Sequence, residues 1–320
     1  MYVPGFSWAG CRTLRFQRCG FKFNFNKHQR NYVAQALSPA RRIRDCALVL
    51  PKAPYICSAA TQMLKSPDAA PKLDAPPRKN VTRLAGKVAI VTGASTGKGR
   101  AIALSLAREE AKVAVLGRRK DKLDESGAAI RATVPAAHAT AIVCDITKSA
   151  DTKNAVEQVE RALAPLNILV NDAGVLSISK IKTISEDDWD HLIATSLKGP
   201  FVMSRGALPA MRRAGRGSII HIGSFLGLVG VKDRAAYCAS KGSVTMLTRA
   251  MALDHAHENI RVSCICPSVV ETGLVRDLFP NSEAGRKAKE AHIATIPTGR
   301  LGQPHGIAGL AVFLASDESS

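Results

Sequence analysis

The chain carries no acidic residue before Asp45, no Cys-x-x-Cys pair and no apolar run of membrane-spanning length. Each absence excludes something. A membrane-crossing helix needs about 20 consecutive apolar residues, so no span is expected. Eight cysteines are scattered through the chain, and Cys264-x-Cys266 has no second pair at zinc-ligand spacing. Those in the folded part lie in apolar runs such as Ala141-Ile-Val-Cys144. They read as small buried hydrophobes in a reducing compartment, and no metal is expected. No nucleic-acid recognition motif accompanies the formal net charge of +19, and no repeat at solenoid spacing is present.

The positive charge is unevenly spread. Met1 to Gly86 hold 15 basic and 3 acidic residues, a balance of +12, whereas Lys87 to Ser320 hold 30 and 23, a balance of +7. The excess sits on an N-terminal extension, residues 1–83, and not on the folded domain, which argues against a nucleic-acid partner. The acid-free first part reads as an organelle transit peptide, with the mitochondrion as destination. The alternative is an extension without a targeting role and a cytoplasmic protein. Within it Phe21-Lys-Phe-Asn-Phe-Asn26 alternates like a strand, and Pro67 to Arg78, rich in Pro, Ala and Lys, reads as a linker.

From Lys87 onward, apolar runs alternate with helical periodicity. Strands are expected at Lys87–Thr92, Lys112–Leu116, Thr140–Cys144, Asn167–Val170, Ser218–Ile222 and Arg261–Ile265. Helices are expected over Arg100–Glu110, Lys120–Ala132, Ala150–Leu163, Glu186–Ala214, Ala235–His257, Glu283–Ala294 and Gly306–Ala315. Near-continuous apolar strands alternating with helices imply a parallel sheet covered on both faces. Right-handed crossovers make it doubly wound. The expected fold class is α/β, a single Rossmann-type doubly wound parallel sheet over residues 84–320.

The first strand ends in Thr92-Gly93-Ala94-Ser95-Thr96-Gly97-Lys98-Gly99, and a helix follows at once. Such a turn lets backbone N–H groups and the positive end of the helix dipole meet a pyrophosphate. Its spacing, Gly-x-x-x-Gly-x-Gly, differs from Gly-x-Gly-x-x-Gly and lacks the Gly-Lys-Ser/Thr ending of a P-loop. The bland alternative is a purely structural turn. The second strand ends at Gly117-Arg118-Arg119, where an acidic side chain would select NAD(H) through the ribose hydroxyls. Guanidinium groups match a 2′-phosphate instead, so NADP(H) is favoured, with NAD(H) as the alternative. Two solvated arginines opening a charged helix are the bland reading.

Tyr237-Cys-Ala-Ser-Lys241 lies in the long helix after strand five, with tyrosine and lysine on one face. A nearby ammonium is expected to lower the phenol pKa and suit the pair to moving a proton to or from a carbonyl oxygen. Ser224, just past strand five, lies at the sheet edge where ligands bind, and its hydroxyl is placed to hold the same oxygen.

Taken together these motifs resemble the short-chain dehydrogenases/reductases over Leu84 to Ser320, among them 3-oxoacyl-acyl-carrier-protein reductases and glucose 1-dehydrogenase-like members. The resemblance implies an enzyme that transfers a hydride between a nicotinamide cofactor and a small carbonyl or secondary alcohol substrate and, if the C-terminal strand were complete, acts as a homo-oligomer, a tetramer or dimer. It implies Ser224, Tyr237 and Lys241 as the catalytic set, with Lys241 also holding the nicotinamide ribose. Cofactor contacts are implied for Gly93, Ser95, Thr96, Gly97 and Gly99 in the turn, Arg118 and Arg119, and Asp145 at the adenine. Further contacts are implied for Asn171, Ala173 and Gly174 in Asn-Asp-Ala-Gly, Tyr237, and Pro267, Val270 and Thr272 after strand six.

The chain departs from the family pattern in places. Ser196 replaces the active-site asparagine of a water-mediated proton relay. Lys98 stands where a buried aliphatic residue is usual, and must snorkel or lose its charge. Asp172 replaces an asparagine. The final strand that usually follows is expected to be missing. These departures motivate a second reading, a cofactor-binding protein with little turnover. Binding of nucleic acid through the basic extension is a third and weaker idea. Gly273 to Thr298 is expected to cover the substrate, with Leu274, Val275, Leu278 and Phe279 as an apolar wall or as ordinary helix packing.

Overall fold

A computed structural model describes residues 82–320, together with a two-residue antiparallel pairing of Leu14–Arg15 with Lys22–Phe23. That pairing includes part of the segment expected to alternate like a strand. The transit-peptide and linker readings otherwise lie outside the described residues.

Six strands form one parallel sheet: β1 Val88–Thr92, β2 Lys112–Gly117, β3 Ala139–Val143, β4 Ile168–Asn171, β5 Gly217–Ile222 and β6 Ile260–Ile265. Their order is β3-β2-β1-β4-β5-β6, so β3 and β6 form the edges and the order reverses between β1 and β4. Such a reversal opens a crevice at the C-terminal ends of the strands. No seventh strand follows β6 among the described residues.

The strands are apolar on both faces because both are covered. Alternate residues diverge: Ala89, Val91, Val113 and Val115 pack with Ile102, Leu106, Ala308 and Val312, on the side of helices α1 (Gly97–Arg108) and α9 (Pro304–Ala315). Val88, Ile90, Ala114 and Leu116 pack with Val156, Val159, Met203 and Met211, on the side of α3 (Ser149–Ala162) and α5 (Gly199–Arg213). Burial of one such side chain contributes about 1.5–3 kcal/mol, which holds the strand ends and their loops in register. The remaining helices are α2 Lys120–Thr133, α4 Glu186–Ile193, α6 Ala235–His255, α7 Gly273–Leu278 and α8 Glu283–Ala294.

The stretch expected as one helix over Glu186–Ala214 is α4 and α5 joined by a π-helical turn, Ala194–Lys198. Pro200 has no N–H to offer the carbonyl of Ser196 four residues earlier, so an α-helical ladder cannot continue there. The turn carries Thr195 and Ser196.

Candidate active site

The site begins at the end of β1. Gly93 has φ +66°, and a Cβ there would stand 2.8 Å from the Ala173 nitrogen. Only glycine allows this turn to approach the loop after β4 so closely. Thr92 fastens the same contact, accepting from the Ala173 N–H at 3.2 Å and lying 3.4 Å from the Val170 carbonyl. The helix that follows, α1, has no acidic residue in its first turn, which leaves its positive end open to an anion.

A cleft of about 750 Å³ opens over this turn. Gly93, Ser95, Thr96, Gly97, Arg118, Arg119, Asp145, Ala173, Gly174 and Thr272 line it. Arg119 does not simply point to solvent; its Nη2 reaches the Ser95 hydroxyl at 3.4 Å. Asp145 accepts on Oδ1 from the N–H and hydroxyl of Thr147, at 3.0 and 2.8 Å. These bonds, the backbone one foremost, hold its carboxyl below the usual aspartate range and leave Oδ2 for a donor.

Six residues implied as cofactor contacts lie outside this cleft's lining: Tyr237, Lys241, Pro267, Val270, Gly99 and Asn171. Gly99 packs instead against the turn itself, since a Cβ there would fall 2.5 Å from the Gly93 carbonyl oxygen. Asn171 is buried, its Nδ2 3.2 Å from Ser204 Oγ and 3.2 Å from His221 Nδ1. His221 is fully buried on β5, and burial lowers its pKa to about 4, so its ring is neutral. Sequence reading missed this cluster. Nothing in local spacing signals a histidine inside an apolar strand.

A second cavity of about 250 Å³ adjoins the first; Lys98, Thr272 and Leu274 line both. Ser224, Tyr237, Pro267 and Val270 line it together with Leu274, Val275, Leu278 and Phe279 from the segment expected to cover the substrate. Arg234 and His292 are polar members that sequence reading did not single out.

Ser224 caps a short 3-10 turn, Phe225–Gly227, by accepting from the Leu226 N–H at 3.2 Å. That turn sits tightly on α6, where a Cβ on Gly227 would fall 2.6 Å from the Lys241 carbonyl oxygen. The Ser224 hydroxyl is thereby brought to Tyr237, the only tyrosine after Tyr55. The Lys241 Nζ lies 5.9 Å from the Tyr237 ring centroid.

The expectation that this ammonium lowers the phenol pKa is not met. Burial raises it, Asp172 and Cys238 add to the rise, and Ser224 opposes it. Burial also lowers the Lys241 ammonium to about 8, aided by the Lys98 charge. The phenol is therefore held as an acid. Ser196 is fully buried in the π turn; its Oγ accepts from Val175 N–H at 3.2 Å and lies 3.4 Å from the Val175 carbonyl. A hydroxyl shared between these two backbone groups is poorly free to serve a relay.

No group of histidine, cysteine, aspartate or glutamate side chains among the described residues is arranged to hold a metal ion. No helix among them is long and apolar enough to cross a membrane.

The short chain dehydrogenase family model matches residues 87–283. The chain is similar to 2-(S)-hydroxypropyl-CoM dehydrogenase 3 of Xanthobacter autotrophicus, with 35% identity covering 74% of this chain and 92% of the relative. It is similar to the 3-oxoacyl-[acyl-carrier-protein] reductase of Thermotoga maritima, with 34% identity covering 74% and 94%. Among solved structures, actinorhodin polyketide ketoreductase with NADPH superposes with a TM-score of 0.69 at 30% identity, covering 73% of this chain and 91% of that one.

Proposed function

The chain belongs to the short-chain dehydrogenase family, NAD(P)-dependent oxidoreductases acting on alcohols and ketones, and from that premise we propose that it reduces a small carbonyl substrate with NADPH through Ser224, Tyr237 and Lys241. The observation that carries the reading is that Ser224 and Tyr237 line an apolar cavity adjoining the glycine-turn cleft, with Lys241 Nζ 5.9 Å from the Tyr237 ring centroid.

The residues present fit a dinucleotide. Gly93, Ser95, Thr96 and Gly97 line an open cleft at the start of α1, whose first turn has no acidic residue and no side-chain cap to occupy its free N–H groups. When bound, the nicotinamide supplies a hydride. The chain's own groups do the rest. Gly93, Gly97 and the N-terminus of α1 receive the diphosphate, Arg118 and Arg119 favour a 2′-phosphate, and Asp145 accepts from the adenine. Ser224 Oγ and the Tyr237 phenol hold the carbonyl oxygen, and the phenol gives up its proton to that oxygen as its negative charge grows. Lys241, held charged below about pH 8, stabilises the phenolate left behind. The apolar wall from Leu274 to Phe279 excludes water from the reacting atoms. Met246 and Leu253 on α6 are 58% and 82% exposed, which suits the expected homo-oligomer.

Consumption of NADPH on addition of members of a small carbonyl panel tests the reading. Tight NADPH binding with no turnover on any member favours the second reading, to which the Ser196–Val175 contacts lend support.

A further inference from the structure

Two departures from the family pattern, 74 residues apart, meet in space. Lys98 Nζ and Asp172 Oδ1 stand 3.4 Å apart, an ion pair without hydrogen-bond geometry. The Asp172 side chain is 6% exposed and that of Lys98 22%. A lysine in the first turn of a helix faces the positive end of its dipole and is disfavoured there without a counter-charge. An aspartate shut away from water is costly without a cation. Each is understandable only beside the other. The pair lies where the two cavities adjoin, since Lys98 lines both. The loop that carries Asp172 also reaches Lys241: a Cβ on Gly174, two residues further on, would be 3.6 Å from Lys241 Nζ and 4.0 Å from the Asp172 backbone carbonyl oxygen.

We propose that Lys98 and Asp172 form one positioning unit that sets the charge on Lys241. The proposal rests on the reading of Lys241 as part of the reacting site. The groups facing Lys241 come from every element around it: Lys98 from α1, Asp172 from the end of β4, His221 from β5, Tyr237 from its own helix, and Cys264 and Cys266 from β6 and just beyond. His221 is held neutral, the Tyr237 phenol is raised, and burial pushes the Cys264 thiol up to about 11. The Lys98 ammonium and the Asp172 carboxylate are therefore the charges that act on Lys241, in opposite directions. Burial raises the Asp172 carboxyl pKa, and the two lysines oppose that rise.

The signs separate this role from simple packing. Asp172→Asn leaves Lys241 facing a bare ammonium, so Lys241 releases its proton at lower pH. Lys98→Leu leaves Lys241 facing a bare carboxylate, so it keeps its proton to higher pH. The double variant lies between the two, and Lys98→Arg, which keeps the charge, stays near the parent. The measurement is the pH titration of the Lys241 ¹³Cε resonance in the lysine-labelled full chain, identified by its loss in Lys241→Arg. Each single variant is expected to move the midpoint by about one pH unit, in opposite directions. Midpoints that move the same way, or do not move, overturn the proposal. Where a single variant does not fold, recovery of folding in the double variant supports the unit, and failure to recover overturns it. The titration needs no turnover, so a parent inactive on every carbonyl would refute the proposed function and leave this result standing.

Discussion

The Lys241 ammonium donates to the Ile222 carbonyl at 2.8 Å, which fastens the middle of α6 to the last residue of β5. This bond fixes the lysine beside the Tyr237 ring without using all three of its N–H groups. It also explains how a charged side chain only 6% exposed is tolerated.

Lys241 should set the alkaline limb of activity. Its pKa is lowered to about 8, whereas that of Tyr237 is raised, so the lysine loses its charge first as pH rises. Carbonyl reduction should decline through about pH 8 in kcat/KM, which reports groups of the free enzyme. Lys241→Arg, if active, should carry the limb upward, because guanidinium stays charged. A profile of kcat/KM against pH that stays flat through pH 8 would remove the lysine from this role.

Tyr237→Phe should lower turnover by at least about 100-fold, the lower range for a lost acid–base group, and change NADPH affinity little. Ser224 and Tyr237 line the same cavity, so the variant removes a proton donor and little packing. Retention of a tenth of the parent rate would reassign the proton donor.

Local patterns were the legible part of this molecule. β1 carries the apolar run Val88-Ala-Ile-Val91 and β5 the pair Ile219-Ile220, and all six strands fall within one residue of their expected spans. The Gly93 turn is legible because glycine has so few substitutes where φ is positive. What sequence could not show was contact across the fold. Lys98 and Asp172 each look like a defect along the chain and become a pair only when β4 lies beside β1. The π turn Ala194–Lys198 falls just before Pro200, inside a stretch whose helical pattern runs on without a visible break. The direction of the Tyr237 shift was misjudged because the lysine's effect is local in sequence and burial is not.

Cofactor choice should follow the arginines at the end of β2. Arg118 and Arg119 are both exposed, so salt screens their contacts with a phosphate. A charge-assisted bond contributes about 1.5–3 kcal/mol, equivalent to roughly 10–100-fold in affinity, with the lower end expected at an exposed site. Gly117→Asp with Arg118→Ala should reverse the preference, since the carboxylate repels a 2′-phosphate and accepts from ribose hydroxyls. A Cβ at Gly117 would meet Leu123 Cδ2 at 3.4 Å, an ordinary contact, so the variant should fold. Dissociation constants for both cofactors at one ionic strength decide the matter. A parent that binds NADH as tightly as NADPH would make the arginines a solvated helix start.

His221 should be a source of acid sensitivity. In the unfolded chain its imidazole takes a proton near pH 6.5; in the folded protein burial and the Lys241 charge lower that to about 4. Between these values the unfolded state binds more protons, so stability falls as pH drops through this window and is fully present above it. The ring is 0% exposed, and the difference corresponds to about 3 kcal/mol once the window is crossed. Carboxylates titrate over the same range, so the parent's slope alone cannot identify the group. The informative quantity is the difference between parent and His221→Gln, which keeps an amide near Asn171 and cannot titrate. Urea unfolding at neutral pH and near pH 4.5 should show the variant losing less stability than the parent, by roughly 2–3 kcal/mol. Parallel losses in the two proteins would mean that the histidine takes up its proton without unfolding, with Asn171 and Ser204 rearranging to receive it.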